Sequence, residues 1–284
     1  DQILLKGGVY VSEVDQYNRF YIENFVPDRN ACSTPTPQNS LRIGVDPQAS
    51  TDVLIEMGTS FADPAKNTAR RGSLMQVLQS NCVIIDGDNG NGKRLILDGK
   101  ERQFGLANPF YVAYDGGPIP SPSDSQPTST GLLTLVDYSG ASASLPTDAM
   151  VYGGVAIRNL EVRNTMGSGI TMNKYRDVAI SNNHVHHTFF RAIGGYGYNV
   201  LLEGNQVEYG AQINRNNVMF YARQDHGGWP GVMQMGGDYE FRDLHSRSGN
   251  VIMRNNRIVN SWGEGIINGS DGGEIVGNTV ANTY

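Results

Sequence analysis

No run of 18 apolar residues occurs in this 284-residue chain, so no helical membrane span is expected. No secretory leader is visible; the chain opens directly with DQILLKGGVY, as it would if a leader had already been removed. No basic block is present, and the formal net charge is −6 with a pI near 5.4. Nucleic acid is therefore not an expected partner. Charged residues make up only 18%, which argues against a disordered or coiled-coil chain. Cysteine is confined to Cys32 and Cys82. In a secreted protein the two could form a disulfide, but two buried thiols fit the sequence equally well.

Glycine is abundant, at 35 residues of 284, against roughly 7% in average proteins. The second half repeats one template of apolar, x, apolar, x, x, Asn, x, apolar. It appears in VAISNNHV (178–185), VLLEGNQV (200–207), VIMRNNRI (251–258) and GEIVGNTV (273–280). The template asparagines are Asn183, Asn205, Asn256 and Asn278, spaced by 22, 51 and 22 residues. A fifth copy, VAIRNLEV (155–162), has Leu160 in place of Asn.

Apolar residues two apart face one side of a strand. The asparagine falls where the strand must bend, and Asn tolerates the left-handed conformation and bonds neighbouring backbone. One repeat cannot bury its own inner face, so it stacks on the next. In-register stacking places the asparagine amides above one another in a ladder. The remaining residues hold a third strand: GSGITMN (167–173), RAIGGYG (191–197), GVMQMGG (231–237) and GEGIING (263–269). We therefore expect an all-β, right-handed parallel β-helix with three short strands per coil and long surface loops. Its inward residues should be Val178, Ile180, Val185, Val200, Leu202, Val207, Val251, Met253, Ile258, Ile275 and Val280.

We read 1–284 as one solenoid domain. Residues 1–131 would form irregular coils with long loops, and 132–284 regular ones. Caps are missing at both ends, so the expectation is a fragment of a longer chain, with end-to-end self-association as the alternative. The 51-residue interval exceeds two 22-residue coils, and the excess is placed in an insertion at 208–230. That insertion carries Asp225, His226 and Trp229.

The Asn template, the GI-type third strand and the N–SWGEGI segment resemble the pectate-lyase-like superfamily of right-handed β-helix proteins. The resemblance covers about 150–284. It implies a secreted or cell-surface protein with polysaccharide as partner, bound along the third-strand sheet and its flanking loops. Lyase or epimerase chemistry on uronates ranks ahead of hydrolysis, and calcium is the cofactor it allows. The runner-up is a non-catalytic filament, stalk or adhesin. The polygalacturonase pattern (NTD, DD, GHG, RIK) and the DPH signature of alginate epimerases are both absent.

β-Elimination needs a group to neutralise the uronate carboxylate, a base and an acid. Arg191 or Lys174 suits the first role, and His187 or His226 the second. Glu264 and Asp225 would serve a two-carboxylate hydrolase. Trp229, Trp262, Tyr196 and Phe190 are candidate sugar platforms. His184 and His186 face outward because Val185 faces the core. Two such histidines can bind metal, but a solvated face is the reading adopted and no metal site is assigned. DGDNGNG (86–92) is read as a Gly/Asn turn, since Gly90 stands where a calcium ligand is needed.

Overall fold

The computed structural model describes residues 1–13, 20–27, 32, 40–61, 73–100, 131–137, 151–165, 167–212, 231–236 and 248–283. Every strand pair among them is parallel. The strands fall into three ladders.

The first stacks Gln2–Leu5, Leu41–Val45, Val83–Asp86, Gly153–Arg158, the latter halves of Ser168–Ser181 and Ile193–Glu203, then Ser248–Arg254 and Ser270–Val276. The second stacks Gly8–Ser12, Val53–Met57, Leu95–Asp98, Glu161–Thr165, His184–Thr188, Gln206–Glu208, Arg257–Ser261 and Thr279–Thr283. The third stacks Phe20–Glu23, Met75–Leu78, Gly131–Val136, the first halves of the two long strands, Met233–Met235 and Ile266–Asn268. Chain order visits the ladders in turn, so the chain coils as a parallel β-helix.

Register explains the core. Val155, Val178, Val200 and Val251 pair in sequence on the first ladder. Val162, Val185, Val207 and Ile258 do the same on the second. All eight are buried, and period-2 alternation sends their neighbours outward. Val280 extends the second of these columns by pairing with Ile258, and Ile275 pairs with Met253 on the first ladder. Both were expected inward but are exposed, Ile275 at 53% and Val280 at 44%.

The structure corrects two further expectations. The 51-residue interval is one coil rather than two, because Val200 pairs directly with Val251 and Val207 with Ile258. It exceeds the 22-residue interval by 29. The excess divides between 213–230 and 237–247, on either side of Met233–Met235. The left-handed residue of the first bend is also not the template Asn. It is the residue before it: Asn159, Asn182, Gly204, Asn255 and Gly277, with φ from 55° to 65°.

The template Asn has a different role. Asn205 Nδ2 donates to Ile180 O (2.9 Å) and Asn256 Oδ1 (3.0 Å), while its Oδ1 accepts from Asn183 N (3.1 Å) and Nδ2 (3.0 Å). Leu160, lacking an amide, ends the ladder with its N–H on Asn183 Oδ1. Cys32 and Cys82 are joined as a disulfide, with Cα atoms 5.4 Å apart.

Candidate functional site

The outward side of the second ladder carries a charged and aromatic cluster. Glu161 stands beside His184, and Arg163 beside His186. Arg163 Nη1 donates to Glu161 Oε1 (2.7 Å), and its Nε to Asp98 Oδ2 (2.9 Å). His186 Nε2 lies 3.4 Å from Glu161 Oε1, and its Nδ1 is 2.8 Å from His187 Nδ1. The His184 and His186 rings are 4.5 Å apart, and His187 stacks on Tyr209 at 4.8 Å.

Electrostatics follow from this packing. The His186 hydrogen bond and the Arg163 charge outweigh burial and lower the Glu161 carboxyl to about 2. Burial, reinforced by the neighbouring His186, lowers His184 and His187, which favours neutral imidazoles.

The corner between the second and third ladders holds another group. Ala192 N donates to Val232 O, and Val232 N to Glu264 O, both at 2.8 Å. Ile193, Met233 and Ile266 pair in register. Arg191, Gly231 and Glu264 therefore occupy one column, with Arg191 and Glu264 two rungs apart, about 10 Å. Arg191 Nε donates to the buried Gln234 Oε1 (2.8 Å), which also accepts from Gly231 N (3.0 Å). The Arg191 guanidinium sits 5.0 Å from the Phe190 ring centroid. Trp262 N donates to Gly210 O (3.1 Å), and Ala211 N to Phe190 O (3.0 Å). Both ends of the 213–230 segment, at Gln212 and Gly231, are thus tied to this corner.

His187, Phe190, Arg191, Trp262 and Glu264 accordingly lie along one turn region that spans three successive rungs. Lys174 and Tyr196 do not join them. Tyr196 pairs with Asn173, and Lys174 follows at a bulge, with φ 61°. Both stand at the far edge of the third ladder, roughly five residues or about 16 Å along the strands from Arg191. Asp225, His226 and Trp229 lie outside the described residues. The outward residues Thr134, Thr171 and Gln234 of the third ladder are buried. Phe189, next to the candidate platform Phe190, belongs to the interior at 2% exposure.

A cleft of about 440 Å³ lies at the first bend, beneath the 87–94 loop, bordered by Asp88, Arg94, Asn182, His184 and Gln206. The loop is a chain of Asx turns. Asp88 Oδ1 accepts from Gly90 N, and Asn89 Oδ1 from Asn91 N, both at 2.8 Å. Asp86 is engaged by Arg42, Arg158 and Asn159. These bonds match the Gly/Asn turn read from the sequence. The reading missed Glu161, Arg163 and Tyr209, whose sequence signal is only that of outward strand positions. They become a cluster once the register aligns three coils.

No family model matches the sequence, and neither does any curated protein. Among solved structures, the chain is similar to the GH136 lacto-N-biosidase from Eubacterium ramulus, with a TM-score of 0.55 and 12% identity over 99% of this chain and 50% of that one. The chain thus spans about half that enzyme's length. A protein of Parabacteroides merdae, provisionally called a glycosyl hydrolase, gives a TM-score of 0.38 at 10% identity, covering 98% of this chain and 95% of that one. A mannuronan C-5 epimerase A-module from Azotobacter vinelandii gives 0.29 at 10%, covering 98% and 87%. The last two scores are too low to bear on the fold. The first agrees with the strand register: the chain is a parallel β-helix.

Proposed function

We propose that this chain is an extracellular β-helix protein that acts on or binds polysaccharide, as a lyase or epimerase of uronate-containing glycan ahead of a hydrolase. The winding is right-handed with three strands per coil in one solenoid domain, as expected for a parallel crossover. The observation that carries the reading is the Arg191–Gly231–Glu264 column. It sets a cation over an aromatic ring, beside a half-buried Trp262 and an exposed carboxylate, at the root of a long segment. Sugar recognition draws on both kinds of surface: apolar ring faces for stacking and charge for the carboxylate. That a β-helix neighbour is named for carbohydrate chemistry supports the class, not the substrate.

In the elimination reading, the Arg191 guanidinium offsets the uronate carboxylate and so acidifies the C5 proton. His187, kept neutral by burial, takes the C5 proton as the C4–O bond breaks and the C4–C5 double bond forms, and the imidazolium so made gives a proton to the departing oxygen. Phe190 and Trp262 hold sugar rings by their faces.

The test is incubation with a panel of uronate polymers. Ultraviolet absorbance reads unsaturated ends, and proton NMR reads inverted C5 centres. We expect product with at least one polymer. Arg191→Ala, His226→Ala and Glu264→Ala should each slow turnover by about tenfold or more, with the melting temperature nearly unchanged. Full activity in all three variants would remove this corner from the reaction. Binding without product across the panel would leave a glycan-binding protein.

A further inference from the structure

We propose that Glu161, His184 and His186 form a site for a borderline divalent transition-metal ion, of the zinc class, on the outward side of the second ladder. One ligand atom from each of the three side chains lies within 4.8 Å of the other two. Two ligands each about 2.1 Å from a tetrahedral ion lie about 3.4 Å apart. His186 Nε2 and Glu161 Oε1 already stand 3.4 Å apart, long for a hydrogen bond but right for two ligands of one metal.

Two independent features point the same way. His184 Nε2 is buried and has no hydrogen-bond partner among the described residues, an arrangement that is costly unless another species accepts its lone pair. The surroundings also fit a ligand's second layer. His186 Nδ1 meets His187 Nδ1 at 2.8 Å. A proton on His186 Nδ1 then leaves Nε2 free to bind metal and fixes the ring, as outer partners of ligating histidines do. Arg163 holds Glu161 Oε1 at 2.7 Å, and its own charge is met by Asp98 at 2.9 Å. This leaves Glu161 Oε2 as the second carboxylate oxygen.

Two imidazoles and one carboxylate select zinc, cobalt or nickel rather than calcium or magnesium, which prefer oxygen donors. Three protein ligands leave a fourth position open. His184 also borders the 440 Å³ cleft, so a water or sugar hydroxyl entering there is the natural occupant. The β-helix supplies the geometry: parallel register sets Glu161 opposite His184, and strand alternation sets His186 on the same side.

The experiment is calorimetric titration of the purified, chelator-treated protein with zinc chloride, paired with the visible spectrum of the cobalt-loaded form. We expect one ion per chain and intense d–d bands typical of a low-coordinate cobalt site. His184→Ala, His186→Ala and Glu161→Gln should each weaken zinc binding at least tenfold. A His226→Ala, His245→Ala double variant should bind as the parent does. Circular dichroism and melting curves of the variants separate loss of ligand from loss of fold. Excess calcium should leave zinc in place. Absence of binding, binding that survives His184→Ala and His186→Ala in folded protein, or displacement by calcium would each overturn the assignment.

Discussion

At the scale of single residues, Asn205 holds three coils together. It is fully buried, bonds the carbonyl of Ile180 on one side, and links the amides of Asn183 and Asn256. Truncation leaves several of these buried groups without partners. Asn205→Ala should therefore cost about 1–3 kcal/mol in urea unfolding. Asn278→Ala should cost less, because its position is only partly buried. Equal costs at the two sites would mean that burial does not set the ladder's worth. Tyr175 offers a pH test. It is wholly buried, with its hydroxyl donating to Val77 O and accepting from Ser80 N, both at 3.1 Å. Burial raises its phenol above the usual value of 10.0. The native state then holds this proton more tightly than the unfolded chain does. Its stabilising contribution is complete below pH 10 and declines as pH rises toward the folded pKa. Tyr175→Phe should cost about 1 kcal/mol near pH 8. The gap to the parent protein should narrow above pH 10; a constant gap in denaturant titrations would contradict the linkage.

At the scale of the coil, close strand stacking limits which residues fit. Gly195 has φ 135°, and a side chain there would meet the Met172 carbonyl of the neighbouring coil. Gly195→Ala should destabilise by at least about 2 kcal/mol, read by chemical denaturation; a neutral result would mean that the coils separate easily. The second bend shows a different pattern. Its left-handed residues are Asn164, His187, Tyr209, Asn260 and Asn282, with φ from 52° to 54°. Asn282 Nδ2 bonds Asn260 Oδ1 at 3.1 Å, continuing the amide theme. His187 and Tyr209 interrupt it with stacked rings, although neither side chain favours that conformation as Asn does. We expect the His187→Asn, Tyr209→Asn double variant to gain about 1 kcal/mol of stability and, under the proposed function, to lose turnover. A loss of stability would show that ring stacking outweighs backbone strain.

At the scale of the whole molecule, the disulfide ties early coils to one another within the first third of the chain. Cys32 and Cys82 are 50 residues apart, and closing a loop of that length restricts the unfolded state by about 4 kcal/mol in the chain-entropy view. Cys32→Ala, Cys82→Ala protein should melt clearly lower in scanning calorimetry, and reductant should affect only the parent. An unchanged melting point would mean that the covering coils already restrain both positions.

The template alone determined the coiling, the core valines and isoleucines other than the exposed Ile275 and Val280, and the asparagine ladder, because those follow from alternation and a fixed interval. The four segments read as a further strand each contain one in the structure. The N-terminal rungs were harder to read. Phe20–Glu23 carries no copy of the template, and intervals such as that from Val83 to its partner Val155 are too long to show a period. Only the tertiary register showed that Asn205 to Asn256 is a single turn of the helix, since chain length does not separate one long coil from two short ones. It also decided which candidate side chains stand near one another. Arg191 and Glu264 share a column two rungs apart, whereas Lys174 and Tyr196 fall at the opposite edge of the same ladder. Glu161 and His184 are 23 residues apart in the chain and adjacent in space. Alternation shows which way a side chain points; the stacking of coils decides which side chains it stands beside, and chemistry depends on the second.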